Sequence, residues 1–324
     1  MQPYSPDFSS RLPDSFIGCF QPYRYYSSNK LILHSFFPLF DSYIYNLITT
    51  LADIRLATLS VLSDFEQDNV TYVELRTTPR AIESANISKA DYVSAVLDVV
   101  RKFNQDSTEM HCCLILSVDR RHTLQQAEEI VDLALANSRR GVVGIDLCGN
   151  PLRGDVSTLK PAFARAKASG LHITLHFGEV AASGTVQELR TMLDLQPERI
   201  GHIIHVPTEI KEEIKRKRLG LELCLSCNVL AQLTEGGFAG HHFSEWRNSQ
   251  CPIALSVSWK HSIYYQITIS LTLPRQTTWA SSRALSRTNT GWQWNTFLSP
   301  EPISSPLAGA QSTASLVLPA RKTV

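Results

Sequence analysis

Leu171-His172-Ile173-Thr174-Leu175-His176-Phe177-Gly178-Glu179 is the stretch on which the reading of this chain turns. Leu171 to Leu175 form a strand-like run, and His176 and Glu179 stand three apart at its C-terminal end. In a (β/α)8 barrel the C-terminal ends of the strands form the catalytic face, so this pairing presents a metal ligand beside a proton donor. One unit later, Arg199-Ile200-Gly201-His202 ends a second strand-like run with another histidine. A single histidine is more often a satisfied structural residue. Recurrence at the same end of successive units favours a site.

Working outward, the alternation runs from about residue 70 to 257. Strand-like runs start near Val70, His111, Val142, Leu171, Arg199, Gly220 and Pro252. Helical stretches separate them, among them Lys89 to Phe103, Leu124 to Ala136, Leu159 to Ala168 and Thr208 to Arg218. Strands alternating with helices read as β/α units around a parallel sheet. Seven such strands are visible, whereas a closed barrel needs eight. Before them, from Phe36 to Asp68, the pattern is helical, with Leu47, Leu51, Ile54, Thr58, Leu62 and Phe65 at three- and four-residue steps.

The two ends differ from the middle. Residues 1–35 are aromatic and Ser/Pro-punctuated and read as an irregular arm; 36–256 read as the barrel domain. Residues 257–324 hold four of the five tryptophans but only one acidic residue, Glu301. They form a Ser/Thr/Trp-rich tail with no sustained period, expected to lack packed structure of the barrel kind. Its Lys and Arg residues form no cluster, which argues against a basic tail for nucleic acid.

Composition narrows the class. Apolar residues make up 43% and charged residues 19% of 324, the balance of a globular protein with a large core. A net charge of +1 gives no reason to expect nucleic acid or an anionic membrane as partner. No apolar run reaches the ~20 residues of a membrane span, and Leu31 to Phe40 lies too far from Met1 for an ordinary signal sequence. Seven cysteines, most in apolar runs, suit reduced, buried thiols. A cytoplasmic monomer is the expectation.

Several residues could carry chemistry. His176 can supply one zinc ligand, Glu179 can shuttle a proton, and His202 can orient a metal-bound hydroxide. Thr77-Thr78-Pro79-Arg80 closes the Val70 strand with two hydroxyls and a guanidinium that can grip a phosphate, or forms a solvated turn. Asp119-Arg120-Arg121 closes the next strand and Asp146 to Pro151 the one after. There Gly149 lets backbone approach a ligand, or serves a structural turn. Cys224 and Cys227 with His241-His242 do not match zinc-finger spacing. His111, His172 and His205 read as core or turn histidines.

Taken in order, these motifs resemble the adenosine/AMP deaminases, and within them the adenosine deaminase-like branch that acts on N6-methyl-AMP. The resemblance covers about residues 36–256. It rests on Phe36 to Phe40, Tyr72 to Arg80, Ser117 to Arg121, Gly144 to Pro151, His176 to Glu179, Arg199 to His202, Ser226 to Val229 and His241 to Phe243. It implies a TIM barrel of the metallo-dependent hydrolase type and a single catalytic zinc. The activity implied is hydrolysis of the purine C6 amine, converting N6-methyl-AMP or adenosine to IMP or inosine. It assigns His176 to the metal, Glu179 as proton donor to the purine ring, and His202 as the hydroxide-orienting base. Thr77, Thr78, Pro79, Arg80, Asp119 and Gly149 match nucleotide-contacting positions, and Tyr45 falls where the branch carries a substrate-side histidine.

The chain departs from the pattern at both ends. The family's first strand ends in His-x-His; no His-x-His occurs in this sequence, and the nearest imitation has only His34. The family's last strand ends in Thr-Asp-Asp, where this chain reads Leu255-Ser256-Val257-Ser258-Trp259-Lys260. Only His176 of the implied zinc ligands therefore has a counterpart. The barrel is expected to lack its first strand, leaving a sheet edge open. A changed start or exon before residue 36, and a frame change or retained intron after about Leu255, are the expected origins. The alternative function is a catalytically inert nucleotide-binding protein that keeps the Thr77 to Arg80 grip without metal.

Overall fold

A computed structural model describes residues 45–257, 266–269, 282–288 and 291–297. Short α1 (Tyr45–Leu47) and long α2 (Leu51–Gln67) precede the first strand. The units that follow are β1 (Tyr72–Thr77) with α3 (Lys89–Asp106), β2 (His111–Asp119) with α4 (Leu124–Ala136), and β3 (Val142–Cys148) with α5 (Lys160–Ala168). Then come β4 (His172–Phe177) with α6 (Val186–Leu193), β5 (Arg199–His202) with α7 (Thr208–Lys217), and β6 (Gly220–Leu223) with α8 (Leu225–Leu230) and α9 (Phe243–Trp246). The described chain ends with β7 (Ile253–Val257), β8 (Gln266–Ile269) and the hairpin β9 (Ser282–Thr288) and β10 (Gly291–Phe297).

The helices begin where the sequence offers reciprocal caps. Thr50 with Asp53, Ser88 with Asp91 and Thr123 with Gln126 each satisfy two otherwise orphaned amides. Their apolar positions recur at helical steps. Thus α3 buries Tyr92, Val93, Val96, Val100 and Phe103, and α2 buries Ile54, Thr58, Val61, Leu62 and Phe65. Strands covered on both faces read as continuous buried runs; β2 is buried from Cys112 to Asp119. Helix α5 starts at Lys160 rather than Leu159, because a 3₁₀ turn over Val156–Leu159 precedes it and Pro161 occupies its first turn. The helix Val186–Leu193 was not among those named from periodicity; its Thr185 cap is the local signal. Among the described residues no helix is long and apolar enough to cross a membrane.

Strands β1 to β7 pair in chain order and in parallel, so their C-terminal ends share one rim. The expectation of an open edge is corrected. Strand β8, from the tail, lies between β7 and β1 and closes the barrel, running antiparallel to both. Leu255 faces Ile269 on one side and Val73 faces Ile269 on the other. The eighth strand is thus supplied from past residue 256, with reversed direction. A sheet edge presents unpaired amides and carbonyls, which any strand of fitting length can satisfy. Residues 1–44, including the Phe36 to Phe40 motif and His34, lie outside the described residues, as does most of the tail.

Barrel interiors are usually filled by bulky branched side chains. This one carries a chain of buried charges. Arg76, 3% exposed, pairs with Glu222, 1% exposed, and its Nη1 lies 3.5 Å from Asp146 Oδ1. Glu222 also accepts from Arg199 Nε at 2.7 Å and Thr174 Oγ1 at 3.0 Å. Arg199 continues to Glu74, which accepts from the Tyr72 hydroxyl at 2.7 Å. Burial alone would raise the carboxyls of Glu222 and Asp146, but their cationic neighbours hold both below the usual range. Removing one partner strands the others in low dielectric. Glu222→Leu is therefore expected to cost about 3–5 kcal/mol, the usual size for breaking a buried pair. Urea unfolding of variant and parent checks this; a loss below about 1 kcal/mol, the level of a surface pair, contradicts it.

Candidate active site at the barrel mouth

His176, the penultimate residue of β4, has its Nδ1 fixed: it lies 2.9 Å from the Leu147 carbonyl and 3.1 Å from Asp146 Oδ1. Two acceptors on Nδ1 leave Nε2 as the atom offered to the mouth, the outer-shell pattern common behind metal-ligating histidines. Burial opposes its protonation, yet Asp146 outweighs burial and raises the imidazole above its ordinary value. Gly178 follows at φ +58, a left-handed turn; its carbonyl accepts from His205 N at 2.8 Å. That turn brings Glu179, 8% exposed, back over the rim.

His202 ends β5, and its backbone is strained. His202 and Ile203 have φ of +61 and +58, a conformation unusual for a β-branched residue and one that tends to gather at functional sites. The strain is held by Ile203 N donating to the Phe177 carbonyl at 3.0 Å and by His242 Nε2 donating to the His202 carbonyl at 2.6 Å. The His202 ring is fixed by Asn228, whose Oδ1 accepts from Nδ1 at 2.8 Å. Its Nε2 lies 3.7 Å from Glu179 Oε1, and its ring centroid 5.3 Å from that of His176. Burial would hold the imidazolium down, but Cys224 and Glu179 together push it up to about 10. His176, Glu179 and His202 therefore converge, from two adjacent strands.

Beneath them lies a cavity of about 10 Å³, reached by His176, His202, Cys224 and Ser256 and floored by Arg76 and Glu222. Ser256 stands on β7, in the stretch that departs from the family pattern. The structure ties the other expected contacts to the protein itself. Thr77 Oγ1 meets the Tyr92 hydroxyl at 2.8 Å, Thr78 Oγ1 lies 3.5 Å from Cys148 Sγ, and Pro79 is buried. Arg80 Nη2 donates to the Ile48 carbonyl, fastening the β1 rim to the segment before α2. Asp119 accepts from Arg121 Nε at 3.0 Å and Nη2 at 2.9 Å. Burial notwithstanding, Arg121 holds its carboxyl below the usual range. Gly149, at φ +99, has a geometric reason: a Cβ there would stand 2.7 Å from the Asp119 carboxyl carbon. The Tyr45 side chain lies outside the described residues. His111, His172 and His205 are exposed, at strand starts and in a turn rather than in the core.

Sequence reasoning gave Arg76, Glu222 and Asn228 no site role, and took Asp146 only as the start of a strand-closing turn. The available signal was charge inside strand runs that are otherwise apolar, as in Tyr72 to Arg76 and Gly220 to Leu223. A catalytic zinc takes about three protein ligands and one open position. Among the described residues no group of three or more His, Cys, Asp or Glu is placed to hold a metal. His176, with Asp146 and Leu147 behind it, fits one ligand position, so the described residues do not by themselves fit a catalytic zinc. Asn228 also reaches His241 Nε2 at 3.2 Å. Asn228→Ala leaves two buried rings short of a partner and is expected to cost about 2–6 kcal/mol, at ~1–3 per unsatisfied group. Thermal unfolding checks this, and an unchanged midpoint contradicts it.

The family model for adenosine deaminase matches residues 3–259. The N6-mAMP deaminase of Arabidopsis thaliana is 37% identical over 284 residues, covering 79% of each chain. The N6-methyl-AMP deaminases of Danio rerio and Homo sapiens are 34% and 31% identical over 65% and 67% of this chain. This chain spans only 63% and 62% of their lengths. Among solved structures, the Arabidopsis N6-mAMP deaminase matches with a TM-score of 0.67 at 37% identity, over 74% of this chain and 71% of that one. An ADAL–IMP complex matches at 0.66 and 38% identity, over 71% and 68%. On the family match and the parallel β/α barrel together, this chain belongs to the adenosine deaminase family.

Proposed function

We propose that the barrel mouth takes a purine nucleotide and is built for hydrolytic removal of its C6 amine, N6-methyl-AMP to IMP, with adenosine to inosine as the nucleoside counterpart. The observation that carries this reading is the convergence of Glu179 and His202, 3.7 Å apart, beside the outward nitrogen of His176. Glu179 lies where a carboxyl can deliver a proton to a ring nitrogen of a purine over the rim. His202, fixed by Asn228 and charged by its neighbours, can orient and polarise a water at C6. The similarity to N6-methyl-AMP deaminases and to a complex with IMP supports a nucleotide as substrate. Arg80 is the cation on the phosphate side, with Thr77, Thr78 and Pro79 shaping its turn and Asp119 and Gly149 continuing that side of the rim on the neighbouring strands β2 and β3.

The described residues fit the family's zinc poorly, since His176 alone among them suits a ligand position. One imidazole does not retain a divalent ion against water and competing ligands. The desalted protein is therefore expected to hold well under one zinc per chain. A second reading follows from that same observation: a nucleotide-binding barrel without turnover.

Incubation of the full chain with N6-methyl-AMP and adenosine, with and without added zinc, separates the two. The deaminase reading expects IMP and methylamine when zinc is added, loss of product with chelator, and a drop of about 10²–10⁴-fold in Glu179→Gln. No product under any zinc level, with IMP still binding in a titration, overturns it in favour of the second reading. Failure to bind IMP at all overturns both.

A further inference from the structure

Arg120 is the first residue past β2, and it is buried at the rim, 4% exposed. An arginine is almost never buried unless it is paired, and this one is tied at two places. Its Nε donates to the Arg153 carbonyl at 3.1 Å, in the loop after β3, and its Nη2 donates to Glu188 on α6. The backbone adds to the same junction. Arg120 N donates to the Cys148 carbonyl at 2.8 Å. Gly154, at φ +73, lies so close that a Cβ there would stand 2.0 Å from the Arg120 carbonyl oxygen. The loops after β2 and β3 are therefore pressed together, and one guanidinium fastens both to α6.

What leads into α6 makes this tie consequential. The connection from β4 runs through Glu179 to Thr185 and is bonded to itself along the way. Ser183, 1% exposed, donates its hydroxyl to the Val180 carbonyl at 3.1 Å, and Thr185 Oγ1 accepts from Glu188 N at 3.3 Å. A shift at Glu188 is thus passed on toward Glu179, not absorbed between them. On the other side of the bridge stand Asp119, next to Arg120 in the chain, and Gly149, next to Cys148. Arg120 therefore joins the part of the rim assigned to the phosphate side to the part that carries the proton donor for the base.

We propose that Arg120 is a positioning residue that sets the spacing between the phosphate side and the base side of this site, a proposal that rests on the purine-nucleotide reading. A nucleotide joins base and phosphate through one ribose, so both ends engage only where the rim holds its two halves at a matching separation. Arginine suits that task. Its planar fork presents N–H groups at fixed angles to two acceptors on different elements. A lysine ammonium is a point charge on a flexible stem, and it can meet Glu188 or the Arg153 carbonyl without fixing the distance between them. The role therefore belongs to the shape of the guanidinium and not to its charge alone.

The test compares the full chain with Arg120→Lys, using IMP by isothermal titration and hypoxanthine, its base alone, by ligand-observed NMR. The parent is expected to bind both, IMP the more tightly. Arg120→Lys is expected to weaken IMP by about 10²-fold, the lower end of what joining two binding groups contributes when both can engage. Hypoxanthine binding is expected to stay unchanged, because the base side itself is intact. Equal losses for IMP and hypoxanthine mark a general structural defect, and an unchanged IMP affinity means the spacing is set elsewhere; either result overturns the proposal. So does a parent that binds IMP but no hypoxanthine, since it has no separate base side to align. Should Arg120→Lys not fold, Glu188→Ala cuts the same bridge at a side chain 25% exposed and carries the same expectations. A parent that binds no IMP at all overturns the purine-nucleotide reading, and the proposal falls with it before any variant is compared.

Discussion

Glu222 sits between Arg76 and Arg199 in the middle of the barrel, and the arrangement of the mouth hangs on that contact. Arg76 reaches from Glu222 to Asp146, and Asp146 with the Leu147 carbonyl sets the rotation of His176. A barrel filled with aliphatic side chains would be content with many rotamers near its rim. A buried ionic chain is not, because each charge needs its counter-charge within hydrogen-bond reach in low dielectric. The interior thus transmits a fixed geometry from Tyr72 and Glu74 at one end to the rim imidazole at the other. Such a chain is not a source of large net stability, since desolvation offsets most of the attraction. Its effect is on orientation.

Strain supplies the second constraint. His202 and Ile203 adopt left-handed backbone that costs about 1–3 kcal/mol per residue, and backbone bonds to Phe177 and Gly201 and the His242 imidazole hold them there. The outcome is a ring held between Asn228 at Nδ1 and Glu179 near Nε2. Closure by β8 belongs to the same picture. A strand running against the other seven completes the hydrogen-bond ladder, but its direction sets the start of β8, not its end, at the functional rim.

The fold was largely legible in the sequence, because each β/α unit repeats the same signal: a buried apolar strand, a polar turn, a capped amphipathic helix. All seven parallel strands fall where the apolar runs stand, and His176, Glu179 and His202 meet as their position at strand ends implied. What the sequence hid depends on long-range partners. Gln266–Ile269 opens an alternation, Ile267-Thr268-Ile269-Ser270-Leu271, that is a strand signal, but the sequence does not say which strands it pairs with; the vacancy between β7 and β1 gives it that place. Thr77 and Arg80 looked like ligand-facing groups, and the structure engages them with Tyr92 and Ile48. Gly149 was read as room for a ligand, and what it makes room for is the carboxylate of Asp119. Asn228 gained meaning only once β6, which leads to it, was seen beside β5 and its side chain against His202.

The central claim is that this rim is a purine-nucleotide site with Glu179 at the base. The most direct measurement is a crystal structure of the full chain grown with IMP. The account expects the purine over the C-terminal rim, a Glu179 carboxyl oxygen within about 2.6–3.2 Å of a ring nitrogen, and the phosphate toward Arg80. IMP bound elsewhere on the surface, or seated at the mouth with Glu179 turned away from the base, would contradict it.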